Sequence, residues 1–271
     1  MKMTELNAKV IQRIEISTAL IVLRVSFDGW EMPAFTPGQF AVLALPGNSA
    51  RCAMCEEEDE TAEGERLIKR AYSISSSSRL KEFLEFYVAL VPSGALTPRL
   101  FALQMGDSLW LGPKFSGMFT LREVPPDKHV VLISTGTGLA PYISMLRDEL
   151  QCGGPRRFAV VHGARHSWEL GYRSELMMLQ SMCPNITYLP LISRPQDEPV
   201  HWTGRAGRIQ SVWRENPLRE FWKFDPTPDN THIFLCGNPG MVEEMTAILS
   251  QDGFSEHSVR QPGQIHIEKY W

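Results

Sequence analysis

The segment Val124-Pro125-Pro126-Asp127 separates two stretches of opposite texture, and this break constrains the fold more than any other feature of the chain. Before it come short apolar runs punctuated by Pro and Gly. Segments 20–27, 40–45, 84–91, 108–111 and 118–121 read as short strands, the second following the turn-forming pair Pro37-Gly38. Many short strands between such breakers predict an antiparallel β-barrel. One short helix is expected near Thr97-Pro98, where threonine can cap and proline is tolerated in the first turn. Beyond the linker, strands expected at 130–133, 158–161, 186–192 and 233–235 alternate with helices at 141–150, 174–182 and 241–250. That alternation predicts a parallel sheet covered by helices. Residues 265–271 alternate at period two and read as the last strand. The chain is thus expected to form a β domain over residues 1–124 and an α/β domain over 125–271, each able to bury its own core.

Residues 50–66 do not fit the barrel pattern. Their run Glu56-Glu57-Glu58-Asp59-Glu60 has no periodicity and reads as a solvated, acidic insertion forming an exposed loop. The formal net charge of −4 gives no footprint for nucleic acid. No stretch has the apolar length needed to cross a bilayer, and the first residues lack a secretory signal, so a cytoplasmic protein is expected. Five scattered cysteines suit reduced thiols better than a disulfide framework. Cys52 and Cys55 are the one close pair, and two thiolates alone make a poor metal site. The seven histidines show no ligand spacing, so no metal centre is expected. Nor is there a serine elbow or a paired-carboxylate arrangement of the kind hydrolases use.

Three motifs carry chemistry. Ser134-Thr135-Gly136-Thr137-Gly138-Leu139-Ala140-Pro141 follows an apolar strand and opens a helix. Its glycines remove side chains where backbone must approach a diphosphate, and Pro141 suits a first helical turn. It lacks the third glycine and later acid of the dinucleotide fingerprint, which argues against a simple NAD dehydrogenase. Cys236-Gly237-Asn238-Pro239-Gly240-Met241 ends another buried strand. Upstream lies Arg70-Ala71-Tyr72-Ser73. There an arginine fork can meet a diphosphate, while a tyrosine can lie against a ring system. Arg165 and Ser193-Arg194 follow strands, and Thr203-Gly204-Arg205 comes shortly after, with Arg208 as a substitute for Arg205. Arginines at strand C-termini face the ligand edge of an open α/β sheet.

In this order the three motifs resemble the ferredoxin–NADP reductase family, most closely its bacterial ferredoxin/flavodoxin branch. The resemblance covers nearly the whole chain apart from the acidic insertion. It implies that the barrel binds FAD and the α/β domain binds NADP(H). Arg70, Ala71, Tyr72 and Ser73, then Tyr87, Val88, Ala89 and Leu90, and Ala95, Leu96 and Thr97 would contact FAD, as would Thr137. Tyr270 would cover the isoalloxazine and Trp271 the adenine of a folded FAD. For NADP the implied contacts are Thr135, Gly136, Gly138, Pro141, Ala164, Arg165, Ser193, Arg194, Arg205, Cys236, Gly237, Asn238 and Met241. Ser73 near flavin N5, Cys236 near nicotinamide C4 and the carboxylate of Glu268 would form the reacting centre.

The implied activity is hydride exchange between NADPH and FAD, with single electrons passed to a ferredoxin or flavodoxin, in a monomer. An acidic carrier would meet a basic rim, for which Arg79, Lys81, Arg99 and Lys114 are candidates. Two alternatives remain open at this point. One is an NADH-using reductase that serves an oxygenase or free flavin; the other is an electron-transfer subunit of a larger complex.

Overall fold

The computed structural model describes residues 5–58 and 64–269. The expected contacts at Tyr270 and Trp271, and part of the acidic insertion, lie outside the described residues. By packing, the chain divides into two units. The first contains Met1–Thr120 together with Ala140–Asp148; the second contains Leu121–Leu139 and Glu149–Trp271.

In the first unit, β1 (Ala8–Ser17), β2 (Leu20–Phe27), β3 (Phe40–Pro46), β4 (Leu67–Ser73), β5 (Leu84–Ala89) and β6 (Ser108–Leu111) form one sheet in the order β4-β3-β6-β1-β2-β5. All its pairings are antiparallel. The expected barrel does not close as a continuous ladder. Its edge strands β4 and β5 meet just past Ser73, in the single bridge between Ile74 and Phe86. Ile21, Leu23, Val25, Leu43, Phe86, Leu100 and Leu109 fill the interior. Strand β1 escapes sequence reading because register shifts at Val10/Gln12 and Glu15/Ser17 interrupt its alternation. Segment 118–121 is not a strand. Gly117 takes a φ of 124° just before it, and Leu121–Glu123 turns into a 3-10 helix.

Helix α1 (Thr97–Ala102) starts as expected with proline in its first turn, but threonine does not cap it. The Thr97 hydroxyl instead donates to the Val91 carbonyl and accepts the Val91 N–H, closing the preceding turn. The acidic insertion is also less free than its composition suggests. Glu58 forms a two-toothed ion pair with Arg99, at 2.7 and 2.9 Å, and these hydrogen bonds hold its carboxyl below the usual range. Arg99 is 2 % exposed and also donates to the carbonyls of Gly47 and Ala95. It is therefore buried structure and not part of a basic rim.

Helix α2 (Ala140–Glu149) continues directly from the glycine motif, yet residues 140–148 group with the first unit. Polar contacts with the loop after β4 fix it there. Ser144 donates to the Ser76 carbonyl at 2.7 Å, and Arg147 donates to the Ser75 carbonyl at 2.9 Å. The Asp148 carboxylate accepts from the hydroxyls of Ser77 and Ser78 and from the Ser78 N–H.

In the second unit, β7 (His129–Thr135), β8 (Phe158–Ala164), β9 (Ile186–Ile192), β10 (Arg205–Ala206), β11 (Thr231–Cys236) and β12 (Ile265–Glu268) form an all-parallel sheet. Its order is β10-β9-β8-β7-β11-β12. The chain runs outward from β7 on one side, then returns to place β11 on the other. Helices α3 (Arg173–Met182), α4 (Ile209–Arg214), α5 (Leu218–Trp222) and α6 (Pro239–Gln251) complete the unit. One sheet face packs Val131, Ile133, Val161 and Leu235 against Trp222, Met245 and Leu249. Cys152 and Cys183 form a disulfide, with Cα atoms 4.6 Å apart, which overturns the expectation of reduced thiols for this pair. Asn185 brings the two segments together: it donates to the Gln151 and Arg156 carbonyls and accepts from the Gly153 N–H.

Three histidines make this unit acid-sensitive. Burial lowers His162 to about 3 and His266 to about 3, and it lowers the half-buried His232 to about 4. The positive charge of neighbouring His257 adds to the shift at His232 and His266. Because these folded-state values lie below that of a free histidine, the unfolded chain binds more protons as pH falls. The stability is fully present above about pH 6.5 and is lost toward pH 3–4. Between about pH 7 and pH 5.5, His162 and His266 together should cost about 2–3 kcal/mol. A melting temperature that falls steadily over this interval, with a shallower slope in His162→Asn, is the expected result; a flat profile would contradict the burial argument.

Candidate functional site

A parallel sheet whose strand order reverses between β7 and β11 opens a crevice at the carboxyl ends of those two strands. Both glycine motifs lie there. The pairing of β7 with β11 sets Ser134 beside Cys236, and the pairing of β11 with β12 sets Cys236 beside Glu268. The two expected reacting groups of this unit therefore share one register row.

The glycines of the two motifs interlock. A Cβ on Gly138 would stand 2.3 Å from the Cys236 carbonyl oxygen, and one on Gly237 would stand 2.3 Å from Thr135 Oγ1. Gly237 also holds a φ of 137°. The Thr135 hydroxyl accepts the Asn238 N–H at 2.8 Å, joining the end of β7 to the turn after β11. Asn238 in turn caps α6 by accepting the Met241 N–H, with Pro239 in the first helical turn. Gly136, with a φ of 54°, has nothing within 4 Å of the position of a Cβ. The result is a strand-end ledge of bare backbone on which a diphosphate can lie. Met241 is buried at the start of α6, and Pro141 is buried in α2.

Along the same edge, Ala164 ends β8 and accepts the Ser193 N–H, while the Arg165 carbonyl accepts the Arg194 N–H, both at 2.9 Å. Arg205 lies on β10 opposite Leu191 of β9. The three arginines are thus brought to one end of neighbouring strands. Two of them are already paired. Arg165 contacts Glu169 at 2.6 Å, and Arg205 contacts Glu220 at 3.1 Å and Glu215 at 3.7 Å. Arg194 is exposed. Sequence reading missed the acidic partners, although Glu169 follows Arg165 at the (i, i+4) spacing of an ion pair. It also missed Trp168, a 43 % exposed indole that stacks on His166 with ring centroids 4.4 Å apart.

In the first unit, Arg70, Ala71, Tyr72 and Ser73 form the end of β4. Arg70 and Ala71 are exposed, Tyr72 is half-buried and Ser73 is buried. The Arg70 guanidinium donates to the neighbouring Lys69 carbonyl at 2.8 Å and stays open to an anion. Burial pushes the Tyr72 phenol above its ordinary range despite the nearby Arg70 charge, so it remains neutral. The isolated antiparallel bridge between Ile74 and Phe86 brings the residue after Ser73 to β5, where Phe86 is followed by Tyr87, Val88 and Ala89, with Leu90 just beyond. Ala95 and Leu96 precede α1, whose first residue Thr97 is tied to Val91. Thr137 lies in the 3-10 turn Gly136–Leu139 of the second unit.

Among the described residues no helix is long and apolar enough to cross a membrane, and no group of three or more His, Cys, Asp or Glu could hold a metal ion. The oxidoreductase NAD-binding domain family matches residues 132–247. A ferredoxin–NADP reductase from Pseudomonas aeruginosa is 33 % identical over 214 residues, covering 75 % of this chain and 80 % of that protein. A flavodoxin/ferredoxin–NADP reductase from Buchnera aphidicola subsp. Baizongia pistaciae is 30 % identical over 239 residues, 88 % of each chain. Among solved structures, a ferredoxin NADP+ reductase from Neisseria gonorrhoeae with bound FAD and NADP shares the fold at a TM-score of 0.79. It is 24 % identical, and the match covers 98 % of both chains. With an antiparallel sheet followed by a parallel one, interlocked glycine motifs at the strand-order reversal, and this identity over most of its length, the chain belongs to the ferredoxin/flavodoxin–NADP reductase family.

Proposed function

We propose that this chain is an FAD-dependent oxidoreductase that passes hydride between NADPH and FAD and delivers electrons singly to a ferredoxin or flavodoxin, acting in the cytoplasm as a monomer. The observation that carries the reading is the interlock of Gly138 and Gly237 at the ends of β7 and β11: a side chain on either would strike the facing strand end and force apart the two turns whose bare backbone would receive a diphosphate. The residues present fit both groups. Residues 1–124 would make up the flavin domain and 125–271 the NADP domain, with α2 leaving the glycine motif to pack among residues of the first.

When bound, FAD and NADPH supply the hydride and one-electron chemistry. The protein's part is to bind, orient and exclude water. Arg70 offers an exposed guanidinium to the FAD diphosphate, and Tyr72 offers a neutral phenol whose ring can lie against the isoalloxazine. Ser73, buried at the end of β4, is suited to hold a hydrogen bond at flavin N5. On the second unit the backbone of residues 135–138 and 237–238 would receive the NADP diphosphate, with Thr135 fixing the turn. Cys236, beside Glu268 in the register, would position the nicotinamide without acting as a nucleophile. Arg165, Arg194 and Arg205 would take the 2′-phosphate. Arg79, Lys81 and Lys114 are exposed and would supply the basic rim proposed for an acidic carrier.

An anaerobic titration tests the reading. The purified protein is expected to show flavin absorbance that NADPH bleaches at lower concentration than NADH, and Arg70→Ala is expected to lose most of its flavin. A colourless protein that takes up no FAD would reject the proposal. Bleaching equally well with NADH would favour the NADH-using alternative.

A further inference from the structure

The 2′-phosphate arginines are not free cations waiting for a ligand. Arg165 is 60 % exposed at its side chain, yet Glu169 grips it in three ways. One carboxylate oxygen accepts from the Arg165 backbone N–H at 3.1 Å and from Nε at 3.3 Å, and the other accepts from Nη2 at 2.6 Å. Glu169 itself is 14 % exposed, and Arg194 is joined to the Arg165 backbone. Burial opposes the charge on Glu169, but the hydrogen bonds and charge of Arg165 outweigh it and keep the carboxyl below its usual range. A full negative charge therefore stands against the guanidinium that is meant to recognise a dianion.

We infer that Glu169 is a specificity-determining residue: its carboxylate offsets the charge of Arg165 and so limits how strongly this chain prefers a 2′-phosphorylated dinucleotide to its unphosphorylated form. The inference rests on the proposed placement of the 2′-phosphate beside Arg165 and Arg194. It separates two contributions that Glu169 makes at once. One is mechanical, since it anchors the guanidinium through Nε and Nη2. The other is electrostatic and unfavourable to an incoming phosphate. Glutamine removes the charge and keeps one carbonyl oxygen for the backbone N–H and Nε bonds, while its NH2 group cannot accept from Nη2. Glu169→Gln therefore removes the charge while keeping two of the three anchoring bonds.

The probes are adenosine 2′,5′-bisphosphate and adenosine 5′-monophosphate, with binding to the whole protein followed by calorimetry and folding checked by thermal melting. Glu169→Gln is expected to tighten the bisphosphate about five- to tenfold, the scale of one partly exposed charge near a dianion, with the gain shrinking at high salt. Affinity for the monophosphate should change less than about twofold, since it presents no group to Arg165. Weaker bisphosphate binding in Glu169→Gln, or an unchanged ratio between the two nucleotides, would overturn the inference. Arg165→Ala tests the underlying placement separately. It should lower the bisphosphate-to-monophosphate preference, and an unaltered preference there would mean that the phosphate does not bind beside Arg165 at all.

Discussion

Gly237→Ala is expected to lower the melting temperature of the protein by about 5–12 °C and to abolish tight binding of adenine dinucleotides. Two costs combine. The new Cβ would meet Thr135 Oγ1 at 2.3 Å and the Thr135 backbone N and O at 2.8 Å, so it cannot be absorbed by rotating one flexible side chain. The φ of 137° is in addition a conformation that only glycine adopts without strain. Overpacking against backbone and a positive φ each cost about 1–3 kcal/mol. Relief would come by pushing the turn at 237–238 away from β7, which breaks the bond from the Asn238 N–H to Thr135 and lifts the N-terminus of α6. Gly136→Ala is the control. Its φ of 54° also disfavours alanine, but its Cβ would meet nothing within 4 Å, so only about 1 kcal/mol is expected. Melting curves of the two variants separate the contributions. Equal losses would mean that the interlock of the two turns contributes nothing.

That interlock also shows what the sequence made legible. The two glycine motifs were visible as turns after apolar strands, and the alternation of residues 125–271 pointed to the parallel sheet. Their mutual contact was not visible, because it depends on β11 returning beside β7 after three intervening strands. Similarly, the arginine positions could be read from strand ends, but Glu215 and Glu220 meet Arg205 only once α4 and α5 have formed. Arg99 was misjudged for the opposite reason. A cation on a short surface helix reads as exposed, and only the fold of the insertion brings Glu58 over it. Strand β1 was missed because its bulges break the period that strand reading relies on. Local chemistry was therefore legible where it is written in consecutive residues. Pairings set by strand order, or by a loop without periodicity, were not.

The same limit hid Glu85, whose replacement should have the largest effect in the first unit. It is the second residue of β5, in a run of apolar residues, where an acid would ordinarily point to solvent. Instead it is 1 % exposed, held between Arg24 of β2 at 2.7 Å and Arg147 of α2 at 2.7 Å, with Ser75 Oγ donating at 3.3 Å. Removing one partner of such a buried arrangement leaves the other charges uncompensated, which costs about 3–5 kcal/mol. Glu85→Ala is therefore expected to destabilise the protein by that amount. The loss should be local first. Arg147 would keep only its bond to the Ser75 carbonyl among the contacts described above, so backbone amides of residues 142–146 should exchange with solvent faster. An exposed pair provides the comparison: Lys9 and Asp28 lie 2.9 Å apart with side chains about half exposed, and Asp28→Ala should cost well under about 1 kcal/mol. In a double-mutant cycle, Arg147→Met should recover part of the Glu85→Ala loss, since methionine removes the uncompensated charge while keeping apolar bulk. A cycle with no coupling between the two sites, or a Glu85→Ala variant as stable as Asp28→Ala, would show that this pair does not tie α2 to the strands around it.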